Sequence, residues 1–325
     1  MKSRYYWISV QIVRILSLRF LYALVTLVFV VFVTFVIDAI APGGPEYAIV
    51  GEKGTAEAYA RVRHELGRDR PWPERFANYL ADVFQLKLGN SYYGTKEPVL
   101  DIVKTSILMT ARIATICIVL ASIIGILLGV LGAVYQNTWV DKLVLTISTF
   151  GVTIPNFVLA PVLAYFFAIK LDLLPLTWEV HRVLPDFYYL VLPVTILALR
   201  PGAMITRLTR ATMTDTLQQE FIRFATAKGI PSLRIIFRHG LRNAILPVIT
   251  GIGFNYGFLL TGAFIVEQIF TIPGIGQVGI EAILQRNTPV IEGTVLVTAA
   301  LFIFINLLVD IALPFLDPRI REAHA

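Results

Sequence analysis

Six long apolar runs constrain the fold of this chain more than any other feature. Each run has 18 or more residues, and Arg200 and Asp310 are the only charged residues inside them. A helix rises about 1.5 Å per residue, so about 20 apolar residues cross the hydrocarbon core of a bilayer. The runs are Phe20–Ile37, Ile113–Val140, Leu143–Ile169, Phe187–Thr206, Ala244–Val266 and Gly293–Leu316. We therefore predict an all-α polytopic membrane protein with six transmembrane helices.

The composition agrees with this prediction. The 325 residues are 56% hydrophobic and 15% charged, whereas soluble domains have about 45–50% apolar and about 25% charged residues. The small residues at Ala39–Ala41 resemble the cleavage site of a secretory signal. The first run is longer than the apolar core of such a signal, so we expect it to remain as the first transmembrane helix.

The distribution of Lys and Arg predicts the orientation of the chain. Residues 1–19 carry four basic residues and no acid, and residues 207–243 carry seven basic residues against two acids. Residues 267–292 carry one basic residue against three acids. Because short cytoplasmic loops are enriched in Lys and Arg, both termini are expected in the cytoplasm. The net charge of +6 is then a topology signal and does not argue for a nucleic-acid partner.

The predicted spans and the predicted orientation divide the chain into five segments. In the external one, Thr55 is a typical N-cap, Gly67 follows the end of the same helix, and a second helix runs from Pro71 to about Leu86. A solvated lid without a partner is the alternative for this segment. The segments are a cytoplasmic N-terminal segment (1–19), a first transmembrane helix (20–41), a small external subdomain (42–104), a core with five transmembrane helices (105–316) and a cytoplasmic tail (317–325).

Residues that could carry chemistry are sparse. The four histidines are scattered without the spacing of metal ligands, and the chain lacks the phosphate-binding loop G-x-x-x-x-G-K-[ST]. Cys117 is the single cysteine and is interpreted as an inert buried thiol. We expect no catalytic residue, no metal site and no cofactor in this chain. Any uphill movement of a solute would draw its energy from another chain or from an ion gradient.

One charged stretch, EFIRFATAKGIPSLRIIFRHGLRNAILPVI (Glu220–Ile249), lies between two apolar runs. The pattern predicts one helix over Asp215–Lys228, with Gly229 as its left-handed terminator and Pro231 in the first turn of a second helix. The second helix is predicted to carry a basic stripe of Arg234, Arg238 and Arg242, opposite an apolar face of Leu233, Ile236, Phe237 and Leu241. Two interpretations remain open: a helix pair lying on anionic lipid, or a docking element for a cytoplasmic partner.

This stretch is similar to the cytoplasmic loop of permeases in binding-protein-dependent ABC transporters. It most resembles the first permease subunit of dipeptide, oligopeptide and nickel importers. Phe224 and Ile230–Pro231 depart from that pattern, in which a small residue or Thr and Leu-Ser are usual. The resemblance extends over nearly the whole chain, with the motifs APGGP (Ala41–Pro45), LKLGNSY (Leu86–Tyr92), LPVTILAL (Leu192–Leu199), VEQIFTIPGIGQ (Val266–Gln277) and LDPRIR (Leu316–Arg321) in the family's order.

The resemblance implies a MetI-like type I importer fold and a permease function in a prokaryotic plasma (inner) membrane. The implied partners are a second, related permease subunit, two ABC ATPase subunits that bind ATP and Mg²⁺, an external substrate-binding protein and membrane lipid. A short coupling helix at about Gln219–Lys228, within the loop 207–243, would dock on an ATPase subunit. The residues implied in this coupling are Glu220, Phe221, Arg223, Phe224, Ala225, Lys228 and Gly229.

The substrate class stays open at this point. Family members carry di- and oligopeptides, nickel chelates or oligosaccharides, and we predict a peptide. The alternative from a different class is a secondary transporter or channel. Acidic residues inside the spans would favour this alternative. Arg200 and Asp310 are expected to face the pathway or to pair with each other, because a charge inside a bilayer is costly. The alternative for Arg200 is that its long side chain reaches the cytoplasmic surface.

Overall fold

Every secondary-structure element longer than a single bridge in the described part of the chain is a helix. Among the described residues, five helices are long and apolar enough to cross a membrane, and the number rises to six if one bent pair of helices forms a single span. The predicted all-α polytopic membrane fold is confirmed. The computed structural model describes residues 2–40, 44–51, 53–178, 184–261 and 263–316, and it describes side chains from Ser17 onward except those of Ala48, Asp310 and residues 312–316.

The helices are numbered in chain order. They are α1 (Lys2–Ile40), α2 (Pro45–Val50), α3 (Ala56–Glu65), α4 (Trp72–Phe84), α5 (Val99–Val134), α6 (Trp139–Thr153), α7 (Asn156–Ala164), α8 (Asp186–Leu217), α9 (Glu220–Ala227), α10 (Ser232–Arg234), α11 (Arg242–Leu260), α12 (Phe264–Ile269), α13 (Ile275–Leu284) and α14 (Thr288–Leu316). A π-helical segment, Tyr165–Lys170, continues α7, and a second one, Ile235–Leu241, joins α10 to α11.

Contacts divide the chain into two compact units. Unit 1 comprises residues 1–110, 260–268 and 272–307, and it contains the subdomain that is predicted to be external. Unit 2 comprises residues 111–259, 269–271 and 308–325, and it contains the charged stretch.

The predicted span Leu143–Ile169 is wrong in shape, because it is not one straight helix. Here α6 and the continued α7 meet at an angle of 97°. The break lies at Ile154, whose backbone is extended with ψ 119°, directly before Pro155. Proline disfavours a helical conformation in the residue before it and has no N–H to donate. A count of apolar residues cannot detect either of these two effects of proline.

The predicted run Ile113–Val140 crosses a helix boundary. The first helix, α5, ends at Val134, and α6 begins at Trp139. Asn137, in the turn between them, has a left-handed φ of +63°, which Asn tolerates better than most residues. The apolar residues after this turn therefore belong to the next helix.

The helix that contains most of the predicted run Ala244–Val266 begins and ends earlier in the chain than the run does. The span begins at Ser232 and ends at Leu260, and Phe264–Ile269 forms the separate helix α12. At its start the helix continues past the apolar segment into the charged stretch, because helical geometry does not require apolar residues. At its end apolar composition continues through Val266, although the helix has already stopped.

The external subdomain contains both predicted helices, α3 and α4. The Thr55 hydroxyl oxygen accepts a hydrogen bond from the Ala58 N–H at 3.3 Å, which confirms the predicted N-cap. Gly67 has a φ of +64° after the end of α3, as a terminator requires. The short helix α2 is an addition to the prediction. The helix α5 begins at Val99, and the predicted limit of the external segment at 104 remains a prediction.

Two glycines bring α5 against α8 within unit 2. A Cβ on Gly125 would lie 2.9 Å from the Gly202 carbonyl oxygen, and one on Gly129 would lie 2.7 Å from that of Thr206. Small residues allow helices to approach closely inside membranes. This packing fixes α8, and two residues connect the end of α8 to α9.

Candidate functional site

The short helix α9 lies in the connection between two membrane spans. The predicted single helix over Asp215–Lys228 is wrong, because α8 ends at Leu217 and α9 begins at Glu220. Gln219 separates them with an extended backbone (ψ 153°), and its carbonyl accepts the Ile222 N–H at 3.1 Å. Glutamine is a good helix former, so no local sequence signal marks this break.

Burial of one face explains why the chain turns at the start of α9. Ile222 and Ala225 are buried in a cluster with Ile235, and Leu217 and Ile230 pack against it. The cluster joins residues from before, within and after α9. The helix is thus anchored on its own flanking segments. Its opposite face is left exposed.

The end of α9 has the hydrogen bonds of a Schellman motif. The Gly229 N–H donates to the Thr226 carbonyl at 2.9 Å, and the Ile230 N–H donates to the Ala225 carbonyl at 3.2 Å. Gly229 has a left-handed φ of +73°, which a residue without a Cβ adopts at no steric cost. Its predicted role as the terminator of this helix is confirmed.

The exposed face of α9, which we call the coupling face after its predicted role, includes charged and aromatic side chains. Phe224 is 67% exposed and Phe221 is 38% exposed, although large apolar groups usually bury themselves. The predicted position of Ala225 on this face is wrong, because Ala225 is only 8% exposed and packs inward. The other predicted coupling residues that are exposed are Glu220, Arg223, Lys228 and Gly229.

The predicted apolar face of the following helix is confirmed only in part, because Ile236 and Leu241 pack against a buried cluster whereas Leu233 and Phe237 do not. A π-helical segment spans Ile235–Leu241, and its wider turns shift the helical phase on which the prediction depended. Leu233 and Phe237 are 70% and 49% exposed, whereas Ile235 is buried. Gly240 is also buried, and a Cβ there would lie 2.6 Å from Met213 Cε on α8.

A buried ion pair that the sequence interpretation missed holds α6 on α8. Arg210 donates to Asp141 through Nε at 2.5 Å and through a terminal nitrogen at 2.7 Å. The Asp141 side chain is 3% exposed, that of Arg210 is 21% exposed, and the Asn137 N–H also donates to the carboxylate at 2.9 Å. A lone acid near the start of an apolar helix, in WVDKLVL, was the available signal.

Of the two predicted intramembrane charges, the structure describes the side chain of Arg200 only. Arg200 lies exposed on α8, with its guanidinium carbon 5.8 Å from the centre of the Phe258 ring, a distance suited to a cation–π contact. The side chain of Asp310 is outside the described residues. A pair between Arg200 and Asp310, and a place for either in the pathway, remain predictions.

In the motif VEQIFTIPGIGQ, Glu267 and the residues that donate hydrogen bonds to its side chain all belong to unit 1. This carboxylate, which is 1% exposed, accepts from the Thr110 hydroxyl at 2.8 Å, the Gly276 N–H at 2.7 Å and the Gln277 N–H at 3.3 Å. A Cβ on Gly274 or Gly276 would lie 2.5 or 2.7 Å from Glu267 side-chain atoms. The motif therefore needs glycine at both positions.

Burial raises the pKa of the Glu267 carboxyl above its usual range, and its hydrogen bonds oppose this shift only in part. A raised pKa in the folded state means that the stability of this hydrogen-bonded arrangement is full below the unfolded value, about 4.3. That stability declines as the pH rises through the folded pKa. The arrangement should therefore open more readily at higher pH.

Substitutions at Glu267 test this dependence. Glu267→Gln keeps an acceptor without a charge. The protection of α13 amides, that is, their exchange relative to the intrinsic rate at each pH, should therefore depend less on pH. Glu267→Ala removes the acceptor of three donors, each costing about 1–3 kcal/mol when left unsatisfied, and should speed exchange more than tenfold. Hydrogen exchange by mass spectrometry measures both. Glu281→Gln, on the same helix, should retain the wild-type pH profile, and an unchanged profile in Glu267→Gln would contradict the assignment.

Comparisons with known proteins agree with the architecture of the chain. Residues 106–322 match the family described as binding-protein-dependent transport system inner membrane component, and residues 12–114 match the N-terminal part of the membrane component of such systems. A probable peptide ABC transporter permease, y4tP of Sinorhizobium fredii, is 35% identical over 87% of this chain and 91% of its own length. The glutathione transport system permease GsiC of Pectobacterium atrosepticum is 34% identical over 87% of this chain and 90% of its own.

The two family matches together extend from residue 12 to residue 322. GsiC of Escherichia coli K12 is likewise 34% identical, over 86% of this chain and 90% of its own length. Such coverage includes all the spans and the segment that contains α9. The chain therefore belongs to the family of binding-protein-dependent transport system inner membrane components and is a multi-pass membrane permease subunit of an ABC importer.

Proposed function

We propose that this permease forms half of the pathway of a di- or oligopeptide importer and that α9 is its coupling helix. The observation that carries the proposal is the coupling face itself. Phe224 is 67% exposed on a helix that is otherwise anchored by buried residues and a Schellman motif. A rigid helix that presents an aromatic side chain suits a groove on an ATPase subunit, because burying such a side chain is favourable.

The names of the relatives support a peptide as substrate. One is described as a probable peptide permease and others as glutathione permeases, and glutathione is itself a tripeptide. Nickel chelates and oligosaccharides are the alternatives within the family. A secondary transporter or channel has no support comparable to the family match.

In the proposed complex, a second related permease subunit completes the pathway. Two ATPase subunits hold ATP and Mg²⁺, and an external binding protein delivers the peptide. Closure of the ATPases on ATP would move α9, and α8 and α10 would transmit that movement to the spans. The permease supplies an element with two states, and the ATPases bias its equilibrium.

Transport in proteoliposomes tests this function. Vesicles that hold the full complex and its binding protein should accumulate a labelled dipeptide only with ATP and Mg²⁺. Dissipating the ion gradients with ionophores should leave uptake unchanged. Uptake by this chain alone, driven by an ion gradient, would favour the secondary transporter instead.

The proposed orientation places both termini in the cytoplasm of a cell whose inner membrane holds the complex. Single cysteines in a Cys117→Ala background test it, at exposed positions that do not need a positive φ. We expect an impermeant thiol reagent to label Glu57→Cys and Thr95→Cys in intact cells. Gln136→Cys and Gln218→Cys should react only after the cells are opened, and labelling of Gln218→Cys from outside would reverse the orientation.

A further inference from the structure

Two adjoining cavities lie in unit 1. One is polar, with a volume of about 360 Å³, and the other is apolar, with a volume of about 270 Å³. Both are lined by Asp38, Thr288 and Glu292. The end of α1 and the beginning of α14 therefore form a boundary between a polar and an apolar space.

The apolar cavity runs along the first span. Phe29, Val33 and Ile37 of α1 line it, together with Val295 of α14. Phe29 and Ile37 are separated by about 12 Å along the helix, and each is 63% exposed. The cavity is therefore open on the surface of the span at membrane depth, where a hydrocarbon chain is the available occupant.

The polar cavity contains charges of both signs. Asp38 and Arg68 form an ion pair with each other, and both side chains are largely buried. Glu292 has no Lys or Arg at ion-pair distance within the described part of the chain. Arg70, which also pairs with Glu74 at 3.2 Å, and Arg75 line the same cavity, as do the acids Glu65 and Asp82. It can thus accept a cationic group and an anionic group together.

Tyr79 also lines this cavity with an enclosed hydroxyl. Tyr79 lies beside Glu292, yet its Oη is shielded and is outside hydrogen-bonding geometry with the described residues. Burial, and then the charge of Glu292, raises the pKa of Tyr79 far above its usual value. The hydroxyl therefore stays protonated and can donate either to Glu292 or to a ligand.

We propose that the two cavities together bind one zwitterionic phospholipid that has a primary amine in its headgroup. An acyl chain lies in the apolar cavity along α1. The ammonium group lies at Glu292 and Asp38, and the phosphate lies at Arg70 and Arg75. A lipid fits better than a free peptide because the apolar cavity opens on the surface of a membrane span, and pockets between spans recognise headgroups by charge.

Native mass spectrometry of the complete complex in mixed nanodiscs tests this site. The probes are phosphatidylethanolamine, phosphatidylcholine and phosphatidylglycerol at equal fractions. We expect the wild type to retain phosphatidylethanolamine about tenfold over phosphatidylcholine, because a quaternary amine cannot donate a hydrogen bond to Glu292. Glu292→Gln should lose that preference, and Val33→Trp, which fills the apolar cavity, should reduce retention of all three lipids.

The control is Glu97→Gln, an exposed acid outside both cavities, which should keep the wild-type preference. Equal retention of the three lipids by the wild type would overturn the proposal without recourse to any variant. A preference that survives Glu292→Gln would also overturn it. Stabilisation by a hydrophobic dipeptide that Glu292→Gln abolishes, without any lipid preference, would assign the cavity to a peptide.

Discussion

Gly229→Val is expected to abolish peptide transport while the spans remain inserted. A left-handed conformation costs an L-residue about 1–2 kcal/mol, and a β-branched side chain more. Valine would therefore break the Schellman hydrogen bonds that end α9 and would change the direction in which the chain leaves it. ATP hydrolysis should become independent of the binding protein, or the ATPases should dissociate. Uptake and ATPase activity of reconstituted complexes measure both outcomes.

The matched control for this substitution is Gly229→Asn, because asparagine tolerates the left-handed region. It should retain most of the transport activity. Phe224→Asp should uncouple the complex without disturbing α9, since Phe224 contributes nothing to the buried cluster. Leu233→Asp, at a similarly exposed position after the turn, should do less. Normal coupling in both Gly229→Val and Phe224→Asp would refute the role of α9.

Arg210→Met is expected to destabilise the protein by about 3–5 kcal/mol, the usual cost of leaving one member of a buried ion pair without its partner. The remaining charge on Asp141 would be 3% exposed and would keep only the Asn137 N–H as a donor. Asp141→Asn should cost less, because Arg210 is 21% exposed and can reach water. Unfolding of the purified complex by heat or denaturing detergent measures the difference.

The double substitution Asp141→Leu with Arg210→Met distinguishes charge from packing. Replacement of a buried pair by apolar groups is often neutral or stabilising, so most of the lost stability should return. A double variant as unstable as the sum of the single ones would contradict this account. A wild-type melting temperature in Arg210→Met would show that the pair contributes nothing to the packing of α6 on α8.

Features that depend on local chemistry were predictable from the sequence. Apolar runs predicted the spans, and the cap residues Thr55 and Gly229 have the predicted hydrogen bond and backbone conformation. Each of these features depends on a few neighbouring residues. The sequence alone is enough in such cases, because the steric and hydrogen-bonding preferences act within one or two turns.

Features that depend on distant contacts were not predictable in the same way. The break before α9 follows from the burial of Ile222 and Ala225 against Ile235, which lies beyond the next turn. The π-helical segment allows Gly240 to meet Met213 on α8. Asp141 and Arg210 are 69 residues apart, so each appeared as an isolated charge. Helical periodicity contains no information on these partners.

Site-specific photo-cross-linking tests the central claim most directly. A photoreactive phenylalanine analogue at Phe224, in the complete complex, should cross-link to an ATPase subunit, and the yield should change when ATP is trapped. The same analogue at Tyr93, an exposed residue of the external subdomain, should give no ATPase product. Cross-links from Phe224 to lipid alone, or an ATPase product from Tyr93, would contradict the assignment of α9 as the coupling helix.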